Sequence, residues 1–229
     1  ADGRVKLIMD VESWNGALIY NHRIGLVTSD GKLRAASIKY YENTRALLDK
    51  PGEWYLDERA NKLYYMPRQW ETMENTIVVI PTLDAWDKEE DGSNGLLTVT
   101  GSSYDNMAQN IRFEGITFAD VTWMRPSSEY GHAANQNNYI MYETFGVNDV
   151  TADAAITVKK ANSISFIDCD FTRIGTIALK MTAGVQNSFI IGNHFYDISG
   201  NAIQIGEPIW YVDDNINPSD KRKMMKNCE

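Results

Sequence analysis

The chain has 229 residues, 43% of them hydrophobic and 23% charged, the composition of an ordinary globular protein with room for one or two domains. A net charge of −9 argues against nucleic acid as a partner and, less strongly, against a polyanionic substrate. No apolar run is long enough to span a membrane, and Ala1 to Arg4 does not read as a signal peptide. Two cysteines are too few for a disulfide scaffold. Three histidines without a Cys/His cluster give no expectation of a metal site.

Residues 4 to 38 alternate apolar and polar side chains around Gly and Asp-Gly punctuation, as at Ser29 to Gly31, which predicts short strands and hairpins. Tyr40, Tyr41, Thr44, Leu47 and Leu48 share one helical face. They predict one short helix, ended by Pro51-Gly52. Gly52 to Asp57 and Lys62 to Pro67 read as two arms of an aromatic hairpin. Its Trp54, Tyr55, Tyr64 and Tyr65 could offer a sugar platform, although cross-strand packing is the commoner use of such rings. Thr76 to Pro81 reads as a strand, and Asp87 to Asn94 as a solvated charged loop.

From there the chain repeats itself. Ile164 to Met181 lies over Ser188 to Ile205 without a gap, at an offset of 24 residues, and seven positions are apolar in both copies, among them Phe166/Ile190, Phe171/Phe195 and Leu179/Ile203. An interrupted copy lies upstream: Ile111 to Val121 matches Ile164 to Ile174, and Ala155 to Val158 matches Ala178 to Met181. Leu96 to Val99 resembles Ala155 to Val158 and predicts the last strand of a lead-in coil. Short alternating segments repeating at this interval, with Gly, Asn and Ser between them, predict a parallel β-helix of about three regular coils plus the lead-in. The expected division is a β-rich region over 1–75, with its hairpin at 53–67, followed by coils over 76–229. Insertions are expected at 123–153 and 207–226. Because Cys228 falls in register with Ile164 and Ser188, where a fourth coil should begin, the natural chain is expected to continue.

Alternation assigns faces to the coils. Ile111, Phe113, Ile116 and Phe118 should point inward, as should Ile164, Phe166, Cys169 and Phe171. Outward, Thr117, Asp170 and His194 stack on the middle strand and Thr157, Lys180 and Gln204 on the last. Asp120, Arg173 and Asp197 should form a charge ladder at a corner. Asp170 beside His194 is a candidate acid/base pair, although most such surface pairs do no chemistry. Both insertions border the strand row of Thr157, Lys180 and Gln204 and should wall it into a cleft. They bring Trp123, His132 and Glu207, aromatic and polar groups suited to sugar rings and hydroxyls, or equally to a packed lid. The candidate substrate-binding residues are therefore Lys180, Gln204, Thr157, Trp123, His132 and Glu207. Glu207, Asp170 and His194 are the candidate catalytic groups.

Several stretches carry a resemblance: Ser13-Trp14, Glu42-Asn43 through Pro51 to Asp57, Leu63 to Pro67, Phe113 to Phe118 with Trp123 and Pro126, and Ser199 to Glu207. Together they span nearly the whole chain, which resembles secreted bacterial right-handed parallel β-helix proteins of the pectin-lyase-like fold, similar to glycoside hydrolase families 120 and 141. The resemblance implies hydrolysis of a glycosidic bond in a plant or host glycan, outside the cytoplasm or in the periplasm, with an oligo- or polysaccharide as partner and no cofactor. It also implies catalytic carboxylates in coils beyond residue 229. Consistently, no two acids stack directly on adjacent coils, the spacing that would suit a retaining glycosidase. Two other readings stay open. A polysaccharide lyase would use Lys180 as a base, with calcium as a possible cofactor, but lacks a carboxylate cluster in register; a non-catalytic glycan-binding β-helix needs neither.

Overall fold

The computed structural model describes residues 11, 14–15, 28–30, 32, 43–86, 95–125, 139–140, 150–206 and 220–229. The chain forms two compact units, one of them Gly25–Ile80; Pro81–Glu229 lies in the other. Expectations for the remaining residues, including most of the strands read over 4–38, the loop at 87–94, His132 and Glu207, lie outside the described residues.

In the first unit Thr28 N–H donates to Lys32 O, closing the turn expected at Ser29-Asp30. The helix expected from Tyr40 to Leu48 is reduced, among the described residues, to a 3-10 turn at Arg45–Leu47. Local geometry accounts for the difference. Asn43 has a left-handed φ of 48° and Thr44 is extended, so no helical path leads into Arg45. Beyond it, the Glu53 carboxylate accepts the backbone N–H groups of Asp49 and Lys50, which turns the chain instead of continuing a helix. The hairpin is as expected: β1 (Trp54–Asp57) pairs antiparallel with β2 (Lys62–Tyr65) in the register Trp54↔Tyr65 to Asp57↔Lys62. Tyr55 and Tyr64 stack across it with centroids 6.1 Å apart, the cross-strand packing use of those rings, while Trp54 stays 60% exposed. Thr76 to Pro81 forms no strand. Ile77 to Ile80 are 53–88% exposed and find no pairing strand among the described residues.

The second unit is built of short strands: β3 (Leu83–Asp84), β4 (Leu97–Thr100), β5 (Ala108–Glu114), β6 (Thr117–Thr122), β7 (Tyr139–Ile140), β8 (Val150–Thr151), β9 (Ala154–Lys159), β10 (Ala161–Ile167), β11 (Asp170–Ile174), β12 (Ile177–Thr182), β13 (Gln186–Ile191), β14 (His194–Ile198), β15 (Ile203–Ile205) and β16 (Lys226–Cys228). Three four-stranded parallel sheets collect them in the orders β16-β13-β10-β5, β14-β11-β6-β3 and β15-β12-β9-β4. Each repeat of sequence thus contributes one strand to each sheet. The registers are those read from the sequence: Phe166↔Ile190, Phe171↔Phe195 and Leu179↔Ile203 at the 24-residue offset, Ile164↔Ile111 upstream, and Leu97↔Ile156 for the lead-in strand. Ser188↔Cys228 places β16 at the start of a further repeat. Within the first insertion β7 and β8 pair antiparallel.

The sheets bend at residues with left-handed backbone, and these recur in register. Asn110, Ser163, Asn187 and Asn227 form one such column, Gly115, Asp168 and Gly192 a second, and Asp120, Arg173 and Asp197 a third. Asn, Asp and Gly tolerate that conformation best, which is why they punctuate the repeat. Gly192 also leaves room for the Asp168 carboxylate, which lies where a Cβ would sit. In the third column Arg173 forks onto Asp120 at 2.6 and 2.9 Å and holds its carboxyl below the usual range; Asp197 adds only through-space attraction. The expected ladder is therefore one ion pair with a distant third charge.

Aromatic rings fill the interior. Phe171 stacks between Phe118 and Phe195, with centroids 5.2 and 4.4 Å away, and Phe113 stacks on Phe166 at 4.8 Å. The middle repeat is enclosed: Ile164, Phe166, Cys169, Phe171 and Leu179 are at most 1% exposed. At the ends, two expected inward residues are open. Ile111 is 36% exposed because β5 is the edge of its sheet, and Ile116, in the bend between β5 and β6, is 40% exposed. Phe118 is covered, packed against Phe113, Phe166 and Phe171. The thiols of Cys169 and Cys228 are both free, as expected, and burial pushes that of Cys228 up.

Entry into β16 is set by Asp220, whose carboxylate accepts the backbone N–H and the guanidinium of Arg222; Arg222 also pairs with Asp105. These contacts hold the Asp220 carboxyl down at about 2, against an ordinary 3.8. A lowered folded-state pKa stabilises above the ordinary value and ceases to do so as pH falls through the folded one. The melting-temperature difference between the native chain and Asp220→Asn should accordingly be constant above about pH 5 and shrink towards pH 2. Phe171→Ala should cost about 3–5 kcal/mol in urea unfolding, and Phe195→Ala, on a less enclosed strand, clearly less.

Candidate functional site

The face singled out by the sequence is the third sheet. Thr98, Thr157, Lys180 and Gln204 lie side by side on consecutive strands β4, β9, β12 and β15, in register. Their neighbours Ile156, Val158, Leu179 and Met181 are fully buried, so alternation turns the row to the opposite face. The parallel ladder thus gathers into one line residues that are 24 or more positions apart. Thr157 and Lys180 are partly exposed, whereas Gln204 is only 7% exposed. Sequence reasoning missed two residues here. Thr98 extends the row, and the lead-in match of Leu96 to Val99 already implied it. Lys159, two positions beyond Thr157 on the same face, pairs with Thr182 and adds a second cation.

The insertion that follows β6 is tied down at its base. Trp123 donates its indole N–H to Asp153 Oδ2 at 2.7 Å and packs on Ala152, Ala154 and Ile177. The Arg125 guanidinium, 4% exposed, stands 3.9 Å from the same carboxylate and 6.0 Å from the Trp86 ring centre. The Asp84 carboxylate accepts the backbone N–H groups of Trp86 and Met124, and Thr176 donates its hydroxyl to Asp153 O. This network brings together segments from both ends of the insertion and fixes Trp123 by its polar edge. Only the ring remains for other contacts. The network was not legible in the sequence, since Asp153 is 30 residues from Trp123 and belongs to no motif.

Asp170 and His194 do meet, with Oδ1 and Nδ1 3.3 Å apart, on the second sheet. The imidazole is 81% exposed, so water screens the pair and competes for both groups. No two carboxylates stand opposite each other in the described registers, and the described residues hold no group of three or more potential metal ligands. No described helix is long and apolar enough to cross a membrane. His132 and Glu207, expected beside the row, lie outside the described residues.

A strand-built face carrying hydroxyls, an amide and ammonium groups has the donors and acceptors that polyhydroxylated ligands need. The comparisons agree with that class. A solved structure titled "Glycoside hydrolase" is 32% identical, with a TM-score of 0.64, over 81% of this chain and 34% of its own; this chain spans about a third of it. A family model described as a GH141 insertion domain matches residues 26–68, the segment that ends with the β1–β2 hairpin. No curated protein matches. The chain is thus similar to carbohydrate-active proteins of the GH141 type.

Trp123→Phe keeps the ring and removes only the indole donor to Asp153. It should lower stability by about 1–3 kcal/mol, measured by urea unfolding, because a half-buried carboxylate loses a partner.

Proposed function

We propose that the stacked repeats are successive coils of a right-handed parallel β-helix, and that the chain is part of a longer, secreted bacterial glycoside hydrolase acting on plant or host polysaccharide. The division into a β-rich region over 1–75 and coils over 76–229 belongs to this reading. The observation that carries the reading is the likeness to a solved glycoside hydrolase, at 32% identity over 81% of the chain. Three parallel sheets, each taking one strand per repeat, support the β-helix. The in-register row of Thr157, Lys180 and Gln204 is its substrate-facing strip, with Trp123, His132 and Glu207 contributed by the insertions.

Hydrolysis with retention needs two carboxyl groups about 5–5.5 Å apart, and inversion needs about 6.5–9.5 Å. The described repeats stack no such pair. One acid can come from Glu207 and the second from coils beyond this chain, whereas Asp170 with His194 would supply one carboxylate and an imidazole on another sheet. The full-length protein, incubated with plant polysaccharides, should release reducing ends without the ultraviolet absorbance of a 4,5-unsaturated uronate. Appearance of that absorbance would make it a lyase; binding without release would make it a glycan-binding protein.

A further inference from the structure

Gln204 is enclosed where its surroundings are open. It lies on β15, the end strand of its sheet, and the flanking Ile203 and Ile205 on the other face are 38% and 47% exposed. Their counterparts one repeat earlier, Leu179 and Met181, are fully buried. Gln204 inverts the pattern. Its Nε2 donates to Gly206 O at 3.4 Å, which orients the amide, and its carbonyl Oε1 is shut away from solvent without a hydrogen-bond partner among the described residues.

An enclosed carbonyl with nothing to accept from is unfavourable, by more than an average hydrogen bond contributes, and a Met of similar shape would avoid the penalty. Retaining an amide here is understandable if a donor arrives from outside the chain. A carbonyl oxygen can only accept. Its complement is therefore an O–H or N–H group, not a carboxylate or phosphate.

We propose that Gln204 Oε1 accepts a hydroxyl of a neutral sugar residue in an oligosaccharide lying across the strands along Thr98, Thr157, Lys180 and Gln204. The inference rests on reading this face as carbohydrate-binding, and it names the group recognised and the class of glycan. Three strand spacings of ~4.8 Å make these four positions span roughly 14 Å, enough for a short run of sugar units. The two threonines add hydroxyls that both donate and accept, matching alternate donors and acceptors around a pyranose or furanose ring.

The test compares the native chain with Gln204→Met and Gln204→Glu, measuring binding to immobilised xylan, arabinan and galactan, with polygalacturonate as the acidic arm, and the urea midpoint of each variant. Binding of the native chain to at least one neutral polysaccharide is expected. Gln204→Met should weaken it about five-fold or more, with an unchanged or higher midpoint, because the dry acceptor has gone. Gln204→Glu keeps an acceptor but loses the donor to Gly206 O and encloses a charge, so it should lower the urea midpoint while still binding more tightly than Gln204→Met. Unchanged binding by Gln204→Met overturns the assignment, and so does a lower midpoint with intact binding, which would mean that Oε1 holds a trapped water only. Binding to none of the neutral polysaccharides, or to polygalacturonate alone, overturns it as well. If these results hold but the full-length protein cleaves nothing, hydrolysis alone fails; if it cleaves and Gln204→Met binds normally, only the role of Gln204 fails.

Discussion

Parallel strand pairing at a fixed sequence offset is the constraint from which the described structure of the second unit follows. A parallel ladder leaves each residue beside its counterpart one repeat away, so Phe171 meets Phe118 and Phe195, and Leu179 meets Ile156 and Ile203. Hydrogen bonding and ring stacking therefore impose the same register, and a slip of one residue would turn every inward side chain outward. The middle repeat shows the result in its buried Ile164, Phe166, Phe171 and Leu179, whereas Ile111 on the edge strand β5 is exposed. Interior and edge differ by whether another strand lies beyond, not by composition.

The same ladder that aligns the core aligns the outer face. Thr98, Thr157, Lys180 and Gln204 come from four strands and owe their proximity wholly to register. A site made this way is held by backbone hydrogen bonds rather than by loop conformation, which gives it the rigidity that preorganised recognition requires. The base of the first insertion is fastened separately, by the carboxylate of Asp153 gripping Trp123 and facing Arg125.

Bends between strand segments depend on a few left-handed residues. Most are Asn, Asp or Gly, where the strain is small, but Lys160, Ser163, Arg173 and Ala183 occupy the same conformation at greater cost. At Arg173 the bidentate contact with Asp120 recovers part of that cost. At the Asn column, side-chain amides bond from one repeat to the next, Asn227 to Asn187 and Asn187 to Asn162. The bends are therefore coupled vertically, as the strands are.

The sequence by itself determined what depends on period: the 24-residue repeat, the register of all three sheets, the inward faces of the middle repeat, the lead-in strand before Gly101 and the row of Thr157, Lys180 and Gln204. Those features follow from alternation and offset, which are one-dimensional. Local patterns did less well where tertiary partners decide. The face shared by Tyr40 and Leu48 suited a helix, but from the left-handed Asn43 onward the chain turns away from one, with the side chain of Glu53 capping the turn; Ile77 to Ile80 had strand propensity and, among the described residues, no strand to join. Only the tertiary structure decided that Trp123 would bond to Asp153, that Ile111 would lie open at an edge, and that Gln204 would be enclosed with its carbonyl unmet. Each of these depends on what lies across space from a residue, and neither periodicity nor spacing carries that.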